Sequence, residues 1–171
     1  PKNQLEVIAY HEGLPGHHMQ ISIAQELKDI PKFRTQAGFT AYSEGWALYS
    51  EALATEIPGT YEDPYNRFGQ LTSEIWRAIR LVVDTGLHSK GWTEQEAIDF
   101  FMENSPEPLE SVVSEIQRYI VMPGQATSYK IGMLKIQELR KRAEESLGET
   151  FRLKTFRDHI LGGGALPLPL L

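Results

Sequence analysis

The chain has 171 residues, 41% of them apolar and 23% charged, with a formal net charge of −6. That length suits one domain with a proper core, and the acidic balance argues against a nucleic-acid partner, which would call for a basic face. Zero cysteines exclude disulfides, thiol nucleophiles and cysteine-ligated metals together, and neither a membrane-spanning run nor a secretory signal is expected.

Periodicity and turn residues predict an all-α domain. Residues 3–13 read as a first helix with Leu5, Ile8 and Ala9 on one side, and a second runs over 17–28 through Ile21, Ala24 and Leu27. Ile30-Pro31 closes that segment, since the residue before a proline is steered away from helix. The next helix covers 40–56, with Ala41, Trp46, Leu48, Tyr49, Ala52 and Leu53 as packing positions, and Pro58-Gly59 ends it. The longest, 64–89, carries Phe68, Leu71, Ile75, Ile79, Val82 and Leu87 at helical period. Thr93-Glu94-Gln95-Glu96 has the form of a capping box opening a helix to about residue 104. Helices over 108–121 and 124–147 follow, divided by Met122-Pro123-Gly124, with Gly148 as the stop of the second. A last short helix, 150–161, runs into three glycines and an apolar tail, Ala165 to Leu171, expected to dock on the body.

Chemistry concentrates in residues 10–20, Tyr-His-Glu-Gly-Leu-Pro-Gly-His-His-Met-Gln, which hold three of the five histidines. A zinc hydrolase needs neutral imidazole ligands and a carboxylate that takes a proton from the attacking water. The usual H-E-x-x-H spacing turns about 40° past a full circle and rises about 6 Å, a gap two imidazoles bridge. Here the position four after His11 is Pro15, and His17 lies about 240° round a straight helix. His18 lies about 10 Å up the axis, and zinc–nitrogen bonds of about 2.0–2.1 Å span neither gap. Pro15-Gly16 supplies the break, and a bulge there would swing one histidine back under His11. For a third protein ligand Glu44 is the best candidate, in Tyr42-Ser43-Glu44-Gly45-Trp46, with Glu51 in reserve two turns on. Arg77, Arg80, Asp84 and His88 align along one stripe of the long helix. Its default reading is a solvated face laced by an Arg80–Asp84 pair; the sharper one is a polar cleft wall, with His88 or an arginine meeting substrate.

HEGLPGHHMQ followed by YSEGWALYSE resembles the gluzincin zinc peptidases. More closely, the chain resembles an uncharacterised bacterial family of that clan with an HExxPGHH motif, whose landmarks match RLVVDTGLHSKGW at 80–92 and RYIVMPGQATSYKIG at 118–132. The resemblance implies the catalytic C-terminal part of a longer bacterial protein, with residues 1–171 as a single helical metallopeptidase-like domain. The missing N-terminal part would be its neighbour, and the compartment cytoplasm or periplasm. It implies one zinc ion, a peptide substrate, His11 as first ligand, Glu12 as general base and Glu44 as the glutamate ligand. The second histidine is His17, which asks the helix to absorb two extra residues, or His18, which asks it to absorb three. Arg118-Tyr119 resembles an Arg-Tyr pair of angiotensin-converting enzyme, which implies Tyr119 as oxyanion donor and Arg118 as a substrate contact. His88, Gln125 and Tyr129 are further substrate-binding candidates. A di-iron carboxylate bundle uses Glu-x-x-His pairs, and no histidine here has a Glu three positions before it. The other rival is a helical binding or structural module with an incomplete or decayed site.

Overall fold

In the computed structural model, which describes residues 1–28 and 30–171, helix follows helix and no strand occurs among the described residues. The helices are α1 (Leu5–Glu12), α2 (His17–Glu26), α3 (Lys32–Gln36), α4 (Thr40–Ala54), α5 (Pro64–Ser89), α6 (Glu94–Asn104), α7 (Leu109–Val121), α8 (Gln125–Leu147) and α9 (Leu153–Gly162). The all-α expectation holds, and only the short α3 was not foreseen. Local chemistry accounts for the firmest ends. Asp63 accepts from the Tyr65 backbone N–H ahead of Pro64 at the start of α5, and Thr93 and Glu96 close a reciprocal capping box on α6. Such caps contribute about 1 kcal/mol each.

Two cores flank the site. The larger joins α4, α8 and α9 through Tyr42, Trp46, Tyr49, Met133, Ile136 and Ile160, with Ala165 of the tail inserted. Gly45 and Gly132 bring α4 and α8 so close that a Cβ on either would collide with the other helix's backbone. Trp46 is fully buried and its indole N–H donates to the Pro15 carbonyl at 2.8 Å. A buried indole of this size contributes on the order of 5 kcal/mol of transfer free energy. The smaller core joins α5, α6 and α7 through Ile79, Val83, Phe101, Val112, Ile116 and Tyr119.

One predicted face is reversed and another is split. On α1, Leu5 and Ile8 are exposed, while Val7 and His11 are buried. On α5, Ile79 and Leu87 of the predicted row pack on the smaller core, but Phe68, Leu71, Ile75 and Val82 lie outward, and the inward side also carries Gly69, Gln70, Ser73, Arg80 and Val83. The reason is close approach: a Cβ on Gly69 would strike the Asn3 carbonyl, so this side of α5 presses on the start of the chain.

Candidate metal centre and cavity

The His-Glu segment does not bulge within one helix; it breaks into two. Residues 13–16 are non-helical, and a Cβ on Gly16 would meet the carbonyl oxygens of Tyr10 and His11. The chain therefore folds back on the end of α1 at a separation that only glycine allows. The hydrogen bond from Trp46 ties this break to α4.

The fold-back places the His11 and His17 rings edge to face, 4.8 Å between centroids. Nε2 of His17 lies 3.2 Å from Glu44 Oε2, and Nε2 of His11 lies 3.5 Å from the same oxygen. Donors on a tetrahedral zinc at bonds of about 2.0–2.1 Å stand about 3.3 Å apart, so both histidine–Glu44 separations, and the chemistry of the donors, match what the ion takes. A carboxylate oxygen of Glu12 comes within 4.8 Å of nitrogens of both imidazoles. His18 is exposed and does not belong to the cluster of His11, Glu12 and His17.

Glu51, the reserve ligand, has a different place. It is 1% exposed and accepts from His11 Nδ1 at 2.6 Å and from the Ser73 hydroxyl at 2.5 Å. A carboxylate only accepts, so Nδ1 of His11 carries a proton toward Glu51, and Nε2 is the ring nitrogen that faces Glu44. Such a second carboxylate commonly orients a metal-binding histidine. Burial works against a charged His11, but Glu44 and Glu51 outweigh it and raise its pKa. Burial likewise opposes ionised Glu44, yet the contacts with His11 and His17 prevail and hold it well below the usual carboxylate range.

Beside these atoms lies a cavity of about 310 Å³ lined by residues of α1, α4, α5, α7 and α8, among them His11, Glu12, Trp76, Arg77, Arg118 and Tyr129. Two expected substrate contacts are elsewhere. The Tyr119 hydroxyl is inside the smaller core, accepting from Arg80 Nε at 2.8 Å and Trp76 Nε1 at 3.1 Å, and burial raises its pKa. His88 is directed at the Tyr119 backbone carbonyl, 2.9 Å away, because α7 covers that end of the stripe. Tyr129 does line the cavity, its ring stacked 6.3 Å from that of His11. Gln125 bridges Arg118 and the Tyr129 hydroxyl, holding both. The Arg80–Asp84 pair is not formed: Arg80 meets Glu115 at 2.8 Å, and Asp84 accepts from the Gly124 N–H. Ser73 and Glu115 were missed, since no local pattern marks partners contributed by other helices.

The profile of the family DUF885, described as bacterial protein of unknown function, matches residues 1–171. Among solved structures the chain is similar to a candidate lipoprotein from Colwellia psychrerythraea, at 46% identity and a TM-score of 0.96, over 99% of this chain and 29% of that one. It is also similar to a candidate lipoprotein of unknown function from Shewanella oneidensis, at 26% identity and a TM-score of 0.87, over 96% of this chain and 30% of that one. No curated protein matches. The chain thus spans under a third of the length of either solved relative.

Proposed function

Because the chain belongs to the bacterial family DUF885, whose description assigns no activity, we propose from the site itself that it hydrolyses peptide or related amide bonds with one zinc ion. The observation that carries this reading is the pair of imidazole nitrogens at 3.5 and 3.2 Å from one Glu44 oxygen, with Glu12 alongside. His11, His17 and Glu44 would hold the ion, leaving a fourth position open. Zinc bound there would supply Lewis acidity, polarising the scissile carbonyl and acidifying the attacking water. Glu12 accepts the proton of that water and passes it to the leaving amine. Tyr129, whose hydroxyl oxygen already accepts from Gln125 at 3.2 Å, keeps its own O–H to donate to the oxyanion. Glu51 and Ser73 hold His11 in one tautomer and orientation.

The two tyrosines separate this assignment from the sequence expectation. Tyr129→Phe is expected to lower kcat about 10²-fold, as for loss of one oxyanion donor. Tyr119→Phe should leave kcat within about threefold and instead lower stability by about 1–3 kcal/mol, because Arg80 and Trp76 lose their acceptor. Steady-state hydrolysis and denaturant unfolding of both variants check this; the reverse pattern would return the role to Tyr119.

The reaction itself is tested by stripping metal with a chelator and following peptide cleavage by mass spectrometry. Cleavage should stop and return on addition of about one equivalent of zinc per chain. Zinc uptake without cleavage of any peptide would identify a metal-binding module instead. The lipoprotein descriptions of the two solved relatives support an envelope location over the cytoplasm. The exposed apolar stripe of α5 is a surface that further polypeptide of such longer proteins would cover.

A further inference from the structure

Three guanidinium groups line the same cavity as His11 and Glu12: Arg77 and Arg80 from α5, and Arg118 from α7. Arg80 is 4% exposed and lies over the Tyr129 ring, 4.5 Å from its centroid. Its Nε donates to Tyr119 and its Nη2 to Glu115, but the buried Nη1 has no partner among the described residues. Arg77 donates to the Ser73 hydroxyl at 2.6 Å and stands 3.9 Å from Glu51, while its buried Nε is likewise unpartnered. Arg118 reaches the same Glu115 at 3.6 Å. Arg80 and Arg118 thus share Glu115, and Arg77 has only Glu51, which His11 already engages; Glu12 is the remaining carboxylate of the cavity wall. A buried guanidinium with an unmet donor is costly, and a carboxylate matches its planar fork.

We propose that this arginine end of the cavity is a subsite for the free carboxylate of a peptide's C-terminus, which makes the substrate a short peptide or a chain end. The proposal rests on the hydrolase reading for the bond cut, but not for the binding. Glu51 touches both His11 and Arg77, so the subsite lies one side chain from the metal centre. With about 3.8 Å between successive Cα atoms, a carboxylate held there sets the cleaved bond about one or two residues back.

The test is calorimetric titration of the zinc-loaded Glu12→Gln protein with acetyl-Ala-Phe as the free acid, with its C-terminal amide, and with acetyl-Ala-Glu amide. The free acid should bind about tenfold or more tighter than either amide, and Arg77→Met and Arg118→Met should each shrink that ratio toward one. Arg118 is half-exposed, so its variant is expected to fold. Equal binding of acid and amide, or binding of neither, overturns the proposal. So does a preference that survives both arginine variants, since the zinc alone would then be reading the carboxylate. A Glu amide that binds as tightly as the free acid overturns the chain-end assignment in favour of an acidic side chain. Failure of the hydrolase reading looks different: the native protein cleaves neither peptide, yet the acid preference and its dependence on arginine persist.

Discussion

Glu12→Gln is expected to lower peptide turnover by about 10²–10⁴-fold while the protein keeps its zinc. Glu12 is the last residue of α1, directly after His11, so the helix end that sets the first imidazole also sets this carboxylate. Its oxygen comes within 4.8 Å of both imidazoles, close enough for one water to sit between, whereas Glu44 makes the contacts at 3.2 and 3.5 Å. The Glu12 side chain is exposed, so exchanging it for an amide of the same size disturbs no packing. The amide does not take up a proton at neutral pH, which removes the base and nothing else. Turnover and zinc content measured on one sample decide the matter. Unchanged turnover would remove Glu12 from the mechanism, and lost zinc would place it among the ligands.

Adjacent histidines are expected to behave as opposites. His17→Ala should take zinc content from about one ion per chain to about none, and His18→Ala should leave it at about one. The two side chains are one residue apart on α2, which turns them about 100° from each other. His17 Nε2 faces Glu44 at 3.2 Å, whereas His18 is exposed. Glu51→Ala should fall between them, weakening zinc about 10- to 100-fold by freeing the His11 ring to turn. Elemental analysis of protein purified without added metal, with a competition titration for Glu51→Ala, reads all three. Retained zinc in His17→Ala together with loss in His18→Ala would exchange their roles.

Short-range chemistry was legible in the sequence. Pro64 and the Thr93–Glu96 box mark helix starts where the structure has them, and Pro15-Gly16 marks the break that returns His17 to His11. What periodicity could not supply is which side of a helix faces inward. The apolar row of α5 is real, but Gly69 and Ser73 let the opposite side approach Asn3 and Glu51 more closely, so Phe68, Leu71, Ile75 and Val82 end up outside while Ile79 and Leu87 still pack inward. The same blindness to partners explains Glu51. It lies 40 residues from His11, and only the packing of α1 on α4 shows that it grips the far nitrogen of the ring. Tyr119 and Tyr129 are both aromatic residues at buried helical positions. Only the placement of Arg80 and Trp76 shows that the first is enclosed and the second meets the cavity.

The central claim is that one cation belongs between His11, His17 and Glu44. It is tested most directly by anomalous scattering at the zinc absorption edge from a crystal grown with zinc. A single strong peak is expected about 2.0–2.2 Å from His11 Nε2, His17 Nε2 and Glu44 Oε2, with none at His18. A map with no peak there, or with zinc held by His18 in place of His17, would contradict it.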